Sequence, residues 1–340
     1  MAETSTPLGL DPTNTTIFLD NDGVLSPIVD DPTKARPLGG TSSRLQALVK
    51  KGYRVVIVTG RPPQFIEQQF STPEQPFADL GVEVQGLYGL QSLRNGQVEN
   101  DSRLEENASA VRKAYSNMIN QLTTAEAPMI TTETPDGTGI YVEPKYFDET
   151  GGRLYGFAVH LRRASEEQRT EWEPKVKEIV EAIARESGVL PTGHELHVKP
   201  GRMVYEMAPK YGVDKGTVVT QNSSGETVVA VGDDLGDVPG FKATKEWANA
   251  NPTDRQAVVV VATSDETPDR VREEADWLVP GPEGVATFLE GLAEETPGLR
   301  INPDMDQRGP KYAIGGLPTL IEKGRHRDEV PQSHDTEPGH

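Results

Sequence analysis

The stretch TTIFLDNDGVLSPIVDD, residues 15–31, decides how the chain is read. It opens as a short β-branched and aromatic run and ends in two aspartates two residues apart, Asp20 and Asp22, followed at once by Gly23. Such a run predicts a strand buried on both faces, and the glycine permits a sharp turn after it. Outward from it, SSRLQALVKKG has helical spacing at Leu45, Leu48 and Val49 and closes on Gly52, and YRVVIVTG reads as a second strand. Strand, helix and strand without a hairpin signal make a βαβ unit, whose parallel strands end on the same sheet edge.

The apolar runs TVVAVG (Thr227 to Gly232) and QAVVVVAT (Gln256 to Thr263) predict that the parallel sheet resumes late in the chain. Between Asn107 and Met207 the texture differs. An amphipathic helix ASAVRKAYSNMINQL, strands in GIYVEPK and LYGFAVHLRR, a charged helix from about Ser165 to Ser187 and HELHVKPGRMVYEM suggest an antiparallel insert. The fold class expected is α/β, a doubly wound, Rossmann-like parallel core with an inserted α+β cap. The expected division is 1–106 and 208–296 for the core, 107–207 for the cap, and 297–340 for a Pro/Gly-rich polar tail that buries too little to order itself.

Composition narrows the function. Formal charge is −19, from 34 basic and 53 acidic residues, which argues against unaided binding to nucleic acid or anionic membranes. With no cysteine, thiol nucleophiles, disulfides and zinc–thiolate sites are excluded. No apolar run approaches the ~20 residues that span a bilayer and the first residues lack a signal-peptide pattern, so the expected location is cytoplasmic. No Gly-rich nucleotide loop is present.

Ligands of a parallel α/β sheet collect beyond the carboxyl ends of its strands. Three strands here end in DNDG, TGR and GDDLGD, which crowds Asp20, Asp22, Thr59, Arg61, Asp233, Asp234 and Asp237 onto one edge. So many carboxylates repel one another unless a cation intervenes, and Mg2+ suits an all-oxygen set. Asp20 and Asp233 are its natural side-chain ligands, with the main-chain carbonyl of Asp22 as a further oxygen. A carboxylate beside Mg2+ can attack phosphorus, which fits Asp20, and Asp22 can then serve as general acid and base. DG is also a common turn, and GDDLGD could be a turn or a calcium loop, although it lacks the later glutamate of an EF-hand. His194 and His197 in HELH, three apart in an extended segment, face opposite sides and do not make a metal pair.

The segments DNDGV, VTG, DKG and GDDLGD, in that order, resemble the four motifs of the haloacid dehalogenase superfamily. The resemblance implies Asp20 as nucleophile, Asp22 as acid/base, Thr59 and Lys215 on the phosphoryl group, and Asp233 with Asp234 binding or orienting Mg2+, with Asp237 nearby. The second aspartate marks phosphatases and mutases within that superfamily. LDNDGVLSPIVDDPTKA (Leu19 to Ala35), VVIVTGRP, GLYGLQ, YVEPK, FAVHLR, PGRMVYEMAPKYGVDKG and VGDDLGDVPGF are similar to successive blocks of the trehalose-6-phosphate phosphatase family, over about residues 15–292. That implies hydrolysis of trehalose 6-phosphate, with Gly60, Arg61, Tyr88, Glu143, Lys145, His160, Arg202 and Glu206 as substrate contacts. The chain departs from the family at Asn21, Val24 and Tyr88, where an aromatic residue, threonine and histidine are usual. Other readings are a phosphatase of another sugar phosphate or glycosyl phosphoglycerate, a noncatalytic sugar-phosphate sensor, or a subunit partnering trehalose-6-phosphate synthase.

Overall fold

The computed structural model describes residues 10–29, 35–130, 138–148, 151–201, 203–265, 267–294 and 312–313. The tail expected over 297–340 therefore lies outside the described residues, apart from two.

Strand β1 (Thr15–Leu19) is buried along its whole length, as a strand covered on both faces must be. Helix α1 (Thr41–Lys51) buries Leu45 and Leu48 and ends at Gly52, whose φ of 112° lets its N–H return to the carbonyls of Leu48 and Val49. Strand β2 (Arg54–Val58) then pairs parallel with β1, and β11 (Thr227–Gly232) pairs parallel with β1 on its other side. The register sets Leu19 opposite both Ile57 and Val231, so the three carboxyl ends lie side by side.

On the β2 flank stands β3 (Glu83–Gly86), followed by the antiparallel pair β4 (Gln91–Arg94) and β5 (Gln97–Asn100). On the β11 flank come β12 (Gln256–Thr263), β13 (Trp277–Pro280) and the short β14 (Tyr312–Ala313). Among the described residues the sheet order is β14-β13-β12-β11-β1-β2-β3-β4-β5. The chain thus winds outward from β1 in both directions, and the boundary between β1 and β11 is the switch point where such sheets form their crevice.

The sequence between β5 and β11 builds a second sheet. Its strands are β6 (Met129–Ile130), β7 (Ile140–Tyr146), β8 (Leu154–His160), β9 (Leu196–Gly201) and β10 (Val204–Pro209), in the order β6-β7-β8-β10-β9. Pairing is antiparallel except between β6 and β7. Helix α3 (Ser102–Thr124) is capped by Asp101, and α4 (Glu166–Ser187) by a reciprocal box between Ser165 and Gln168. Val111, Met118, Trp172, Val176 and Val180 of these helices pack with Val142, Phe157, Val159 and Met207 of the strands in an apolar cluster distinct from those of the large sheet. This α/β fold, a mainly parallel sheet with an antiparallel insert, is the class the sequence implies.

Candidate active site

The end of β1 turns within four residues. The N–H of Asp20 still donates to the Val231 carbonyl, 3.0 Å away, but the Asn21 carbonyl then accepts from the N–H groups of Val24, Leu25 and Ser26. Gly23, at φ +80°, lies so close to Asp233 that a Cβ there would overlap its carboxylate. The turn after one strand thereby closes over an acid supplied by the next.

Helix α5 (Lys215–Asn222) starts on the N-cap Asp214, whose carboxylate accepts from Thr217 N–H. Capping fixes the first helical residue, Lys215, whose ammonium lies 2.7 Å from Asp20 Oδ1 and 2.6 Å from Asp237 Oδ1. All three side chains are buried. The other oxygen of Asp237 accepts from the N–H groups of Asp233 (2.9 Å) and Asp234 (3.1 Å), so this carboxylate ties the loop after β11 to α5.

Asp20, Asp233 and Asp237 each bring a carboxylate oxygen within 4.8 Å of the other two. Burial pushes the Asp20 carboxyl up to about 7 against the pull of Lys215. Burial, then the charges of Asp20, Asp237 and Asp234, push Asp233 up to about 8. Asp234 is raised for the same reasons, burial first and then Asp237. Burial opposes the Lys215 ammonium, yet Asp20 and Asp237 hold it above its ordinary value. One ammonium among these acids leaves negative charge uncompensated, and a group of carboxylate oxygens could hold a metal ion of the hard, oxygen-seeking kind. Because both oxygens of Asp237 are already engaged, Asp20 and Asp233 are the better placed ligands.

The carboxylate of Asp22 is not part of this cluster. It accepts two hydrogen bonds from Arg61, at 2.7 Å from Nε and 2.9 Å from Nη2. Thr59, fully buried, accepts at Oγ1 from the Arg61 N–H (3.1 Å). A Cβ on Gly60 would come within 2.7 Å of the Tyr88 hydroxyl, so a side chain there would displace that ring.

In the second sheet, cross-strand register sets Glu143 opposite Ala158 and Ala158 opposite Glu206, which gives these residues a common face. On it Lys145 Nζ lies 2.6 Å from Glu206 Oε1, and His160 Nε2 lies 2.9 Å from Glu143 Oε2. Burial raises Glu143, but the His160 hydrogen bond and the charges of His160, Lys145 and Arg61 bring it below its usual value. The influence of Arg61, which follows β2, means that this polar face looks toward the carboxyl edge of the large sheet. Arg202, expected beside these residues, lies outside the described residues. Tyr155, which the sequence reading did not single out, belongs here: burial and then the charges of Glu143, Glu206 and Tyr88 raise its phenol. Its only sequence signal is an aromatic in the alternating run LYGFAVH.

No family model matches the chain. Over 292 residues it is 27% identical to the trehalose-phosphate phosphatase of Mycobacterium leprae (strain TN), covering 82% of this chain and 57% of that protein. Over 290 residues it is 27% identical to trehalose-phosphate phosphatase B of Arabidopsis thaliana, covering 82% and 66%. The C-terminal domain of C. albicans trehalose-6-phosphate phosphatase has the same fold, with a TM-score of 0.56 at 20% identity over 85% of this chain and 98% of that one. The chain spans 57–62% of the length of its mycobacterial relatives in M. leprae and M. avium. Fold and site together agree with the resemblance to the haloacid dehalogenase superfamily that the four motifs carry. Within it, the chain is a distant homologue of the trehalose-6-phosphate phosphatases over most of its length.

No helix among the described residues is long and apolar enough to cross a membrane.

Proposed function

We propose that the chain is a Mg2+-dependent phosphomonoesterase that hydrolyses trehalose 6-phosphate to trehalose and phosphate. The observation that carries this reading is the meeting of Asp20, Lys215 and Asp233 at the switch point. Asp20 and Asp233 would hold the Mg2+, with the main-chain carbonyl of Asp22 and with Asp234 and Asp237 orienting the loop, and its charge would offset that of the phosphoryl oxygens. Asp20 attacks phosphorus, forming an aspartyl phosphate as the bond from phosphorus to the sugar oxygen breaks. Asp22 gives its proton to the departing oxygen and later takes one from the water that attacks phosphorus and frees Asp20. Arg61, Thr59 and Lys215 position and neutralise the phosphoryl group, where most of the rate enhancement of such transfers arises. Arg61 donates two hydrogen bonds to Asp22, and a bound phosphoryl group would give the guanidinium a second partner.

In this reading residues 1–106 and 208–296 act as the catalytic core and 107–207 as the cap. Gly60 and Arg61 lie at the phosphate end, Tyr88 at the cleft, and Glu143, Lys145, His160, Arg202 and Glu206 meet the sugar hydroxyls. The relatives named trehalose-phosphate phosphatases support the choice of sugar. Phosphate release from a panel of sugar phosphates, with and without Mg2+, tests it: trehalose 6-phosphate should give the highest kcat/KM, and Asp20→Asn should abolish turnover. Absence of Mg2+-dependent release from every substrate would overturn the phosphatase reading. A higher kcat/KM for another sugar phosphate would move the substrate but not the mechanism.

A further inference from the structure

Tyr88 sits in a backbone conformation that L side chains rarely adopt, φ 57° and ψ 36°, and the residue before it, Leu87, is at φ 50°. The turn has no freedom to relax it. Leu87 N–H donates to the Arg61 carbonyl and Tyr88 N–H to the Thr59 carbonyl, each at 3.1 Å, so both residues are bolted to the loop that follows β2. From the other side, a Cβ on Gly89 would come within 2.9 Å of Val218 on α5. The ring is therefore held where Gly60 leaves room for it, with the hydroxyl against the Gly60 backbone.

The charges that act on this phenol come from both sides of the cleft. Burial raises it, Lys215 opposes that, and Asp20, Glu206 and Asp234 raise it further. Lys215, Asp20 and Asp234 belong to the phosphate end and Glu206 to the second sheet. The side chain is 40% exposed, and its hydroxyl has no hydrogen-bond partner among the described residues. A neutral hydroxyl, free to donate and accept, thus stands between the phosphate end and the sugar end of the site.

We propose that Tyr88 is a specificity-determining residue whose hydroxyl hydrogen-bonds a sugar hydroxyl next to the phosphate ester, selecting polyol over aryl leaving groups. This rests on the phosphatase reading above. The strain and the two main-chain bonds serve to hold the ring at that boundary, and strained residues persist where surrounding structure over-determines them. A site built to hydrogen-bond a substrate hydroxyl discriminates against analogues lacking it, because its own polar group is then left unpaired.

The test compares wild type with Tyr88→Phe, which keeps the ring and the turn. The ratio of kcat/KM for trehalose 6-phosphate to that for p-nitrophenyl phosphate should fall about tenfold, the size of one hydrogen bond. An unchanged ratio, including equal losses on both substrates, would overturn the proposal, since the hydroxyl would then touch the phosphoryl group or nothing. A second arm does not need turnover. In an Asp20→Asn background, calorimetric titration with trehalose 6-phosphate should give a Kd about tenfold higher when Tyr88→Phe is added, with inorganic phosphate changed less than about twofold. Equal Kd values for the sugar phosphate with and without the hydroxyl, or no binding at all, would overturn it. If wild type releases no phosphate from either substrate, the phosphatase reading fails, and the binding arm still decides the role of Tyr88.

Discussion

Lys215 serves two carboxylates, Asp20 and Asp237, while Asp233 faces the same neighbourhood without an ammonium of its own. Asp20 at about 7 and Asp233 at about 8 stand far above the ordinary 3.8. Between those values the folded protein binds more protons than the unfolded chain, so the contribution of these groups to stability falls as pH rises from about 4 through 8. Without divalent cation the thermal midpoint is expected to drop between pH 5 and pH 8, and added Mg2+ should reduce that drop. Binding should also expel protons. Calorimetric titrations of Mg2+ at pH 7 should depend on the ionisation enthalpy of the buffer, and that dependence should fade above pH 9; buffer-independent heats at pH 7 would place the cation elsewhere. Asp20, Thr59 and Asp233 were legible in the sequence because each directly ends an apolar run. The partners of Asp22 and Asp237 were not. Arg61 is 39 residues from Asp22 and Lys215 22 residues from Asp237, separations that acquire meaning only when the elements pack.

At the scale of elements, the site depends on turns as much as on strands. Gly23 combines φ +80° with a position where a Cβ would overlap Asp233. Gly23→Ala must therefore either strain the backbone or displace the acid. The left-handed conformation alone costs an L residue about 1–2 kcal/mol. Urea unfolding should register a loss of at least that size, together with weaker Mg2+ binding; stability within ~0.5 kcal/mol of wild type would mean that the turn takes another path. The strands β1, β2, β11 and β12 and the helix α1 could be read from apolar runs and their bounding glycines. Helix α3 begins at Ser102, before the run ASAVRKAYSNMINQL, because Asp101 caps it there and the first turn already buries Leu104. The β4–β5 hairpin turns on Asn95 and Gly96, both at positive φ, a dipeptide that favours such hairpins. That signal stood in the sequence, but between two strands of only four residues, mostly polar.

At the scale of the whole molecule, the two sheets keep separate apolar clusters, and a smaller one of Leu87, Leu90, Leu104, Phe147 and Tyr211 lies where they join. Asn107, buried there, donates to Thr192 Oγ1 (2.7 Å) and to the Tyr211 hydroxyl (3.1 Å), which ties α3 to the segments flanking β9 and β10. Cores so divided open as separate cooperative units. Native-state hydrogen exchange is expected to give one opening free energy for β7, β8 and β10 and another for β1, β11 and β12; a single value across all six would mean that the insert and the large sheet unfold together. The existence of the insert was legible in its alternating strands. Which face it turns toward the acidic cluster was not, because that depends on the junction contacts.

The pairing of Thr15 with Thr227 has a consequence for synthesis on the ribosome. At ~5–20 residues per second, β1 waits on the order of ten to forty seconds before β11 is made. During that interval every strand of the second sheet has been translated and can pair, while β1 has no neighbour on one side. Asp20 meets Lys215 and Asp233 only when the later segments arrive, so the charged centre assembles around a nascent chain whose insert has already had time to fold.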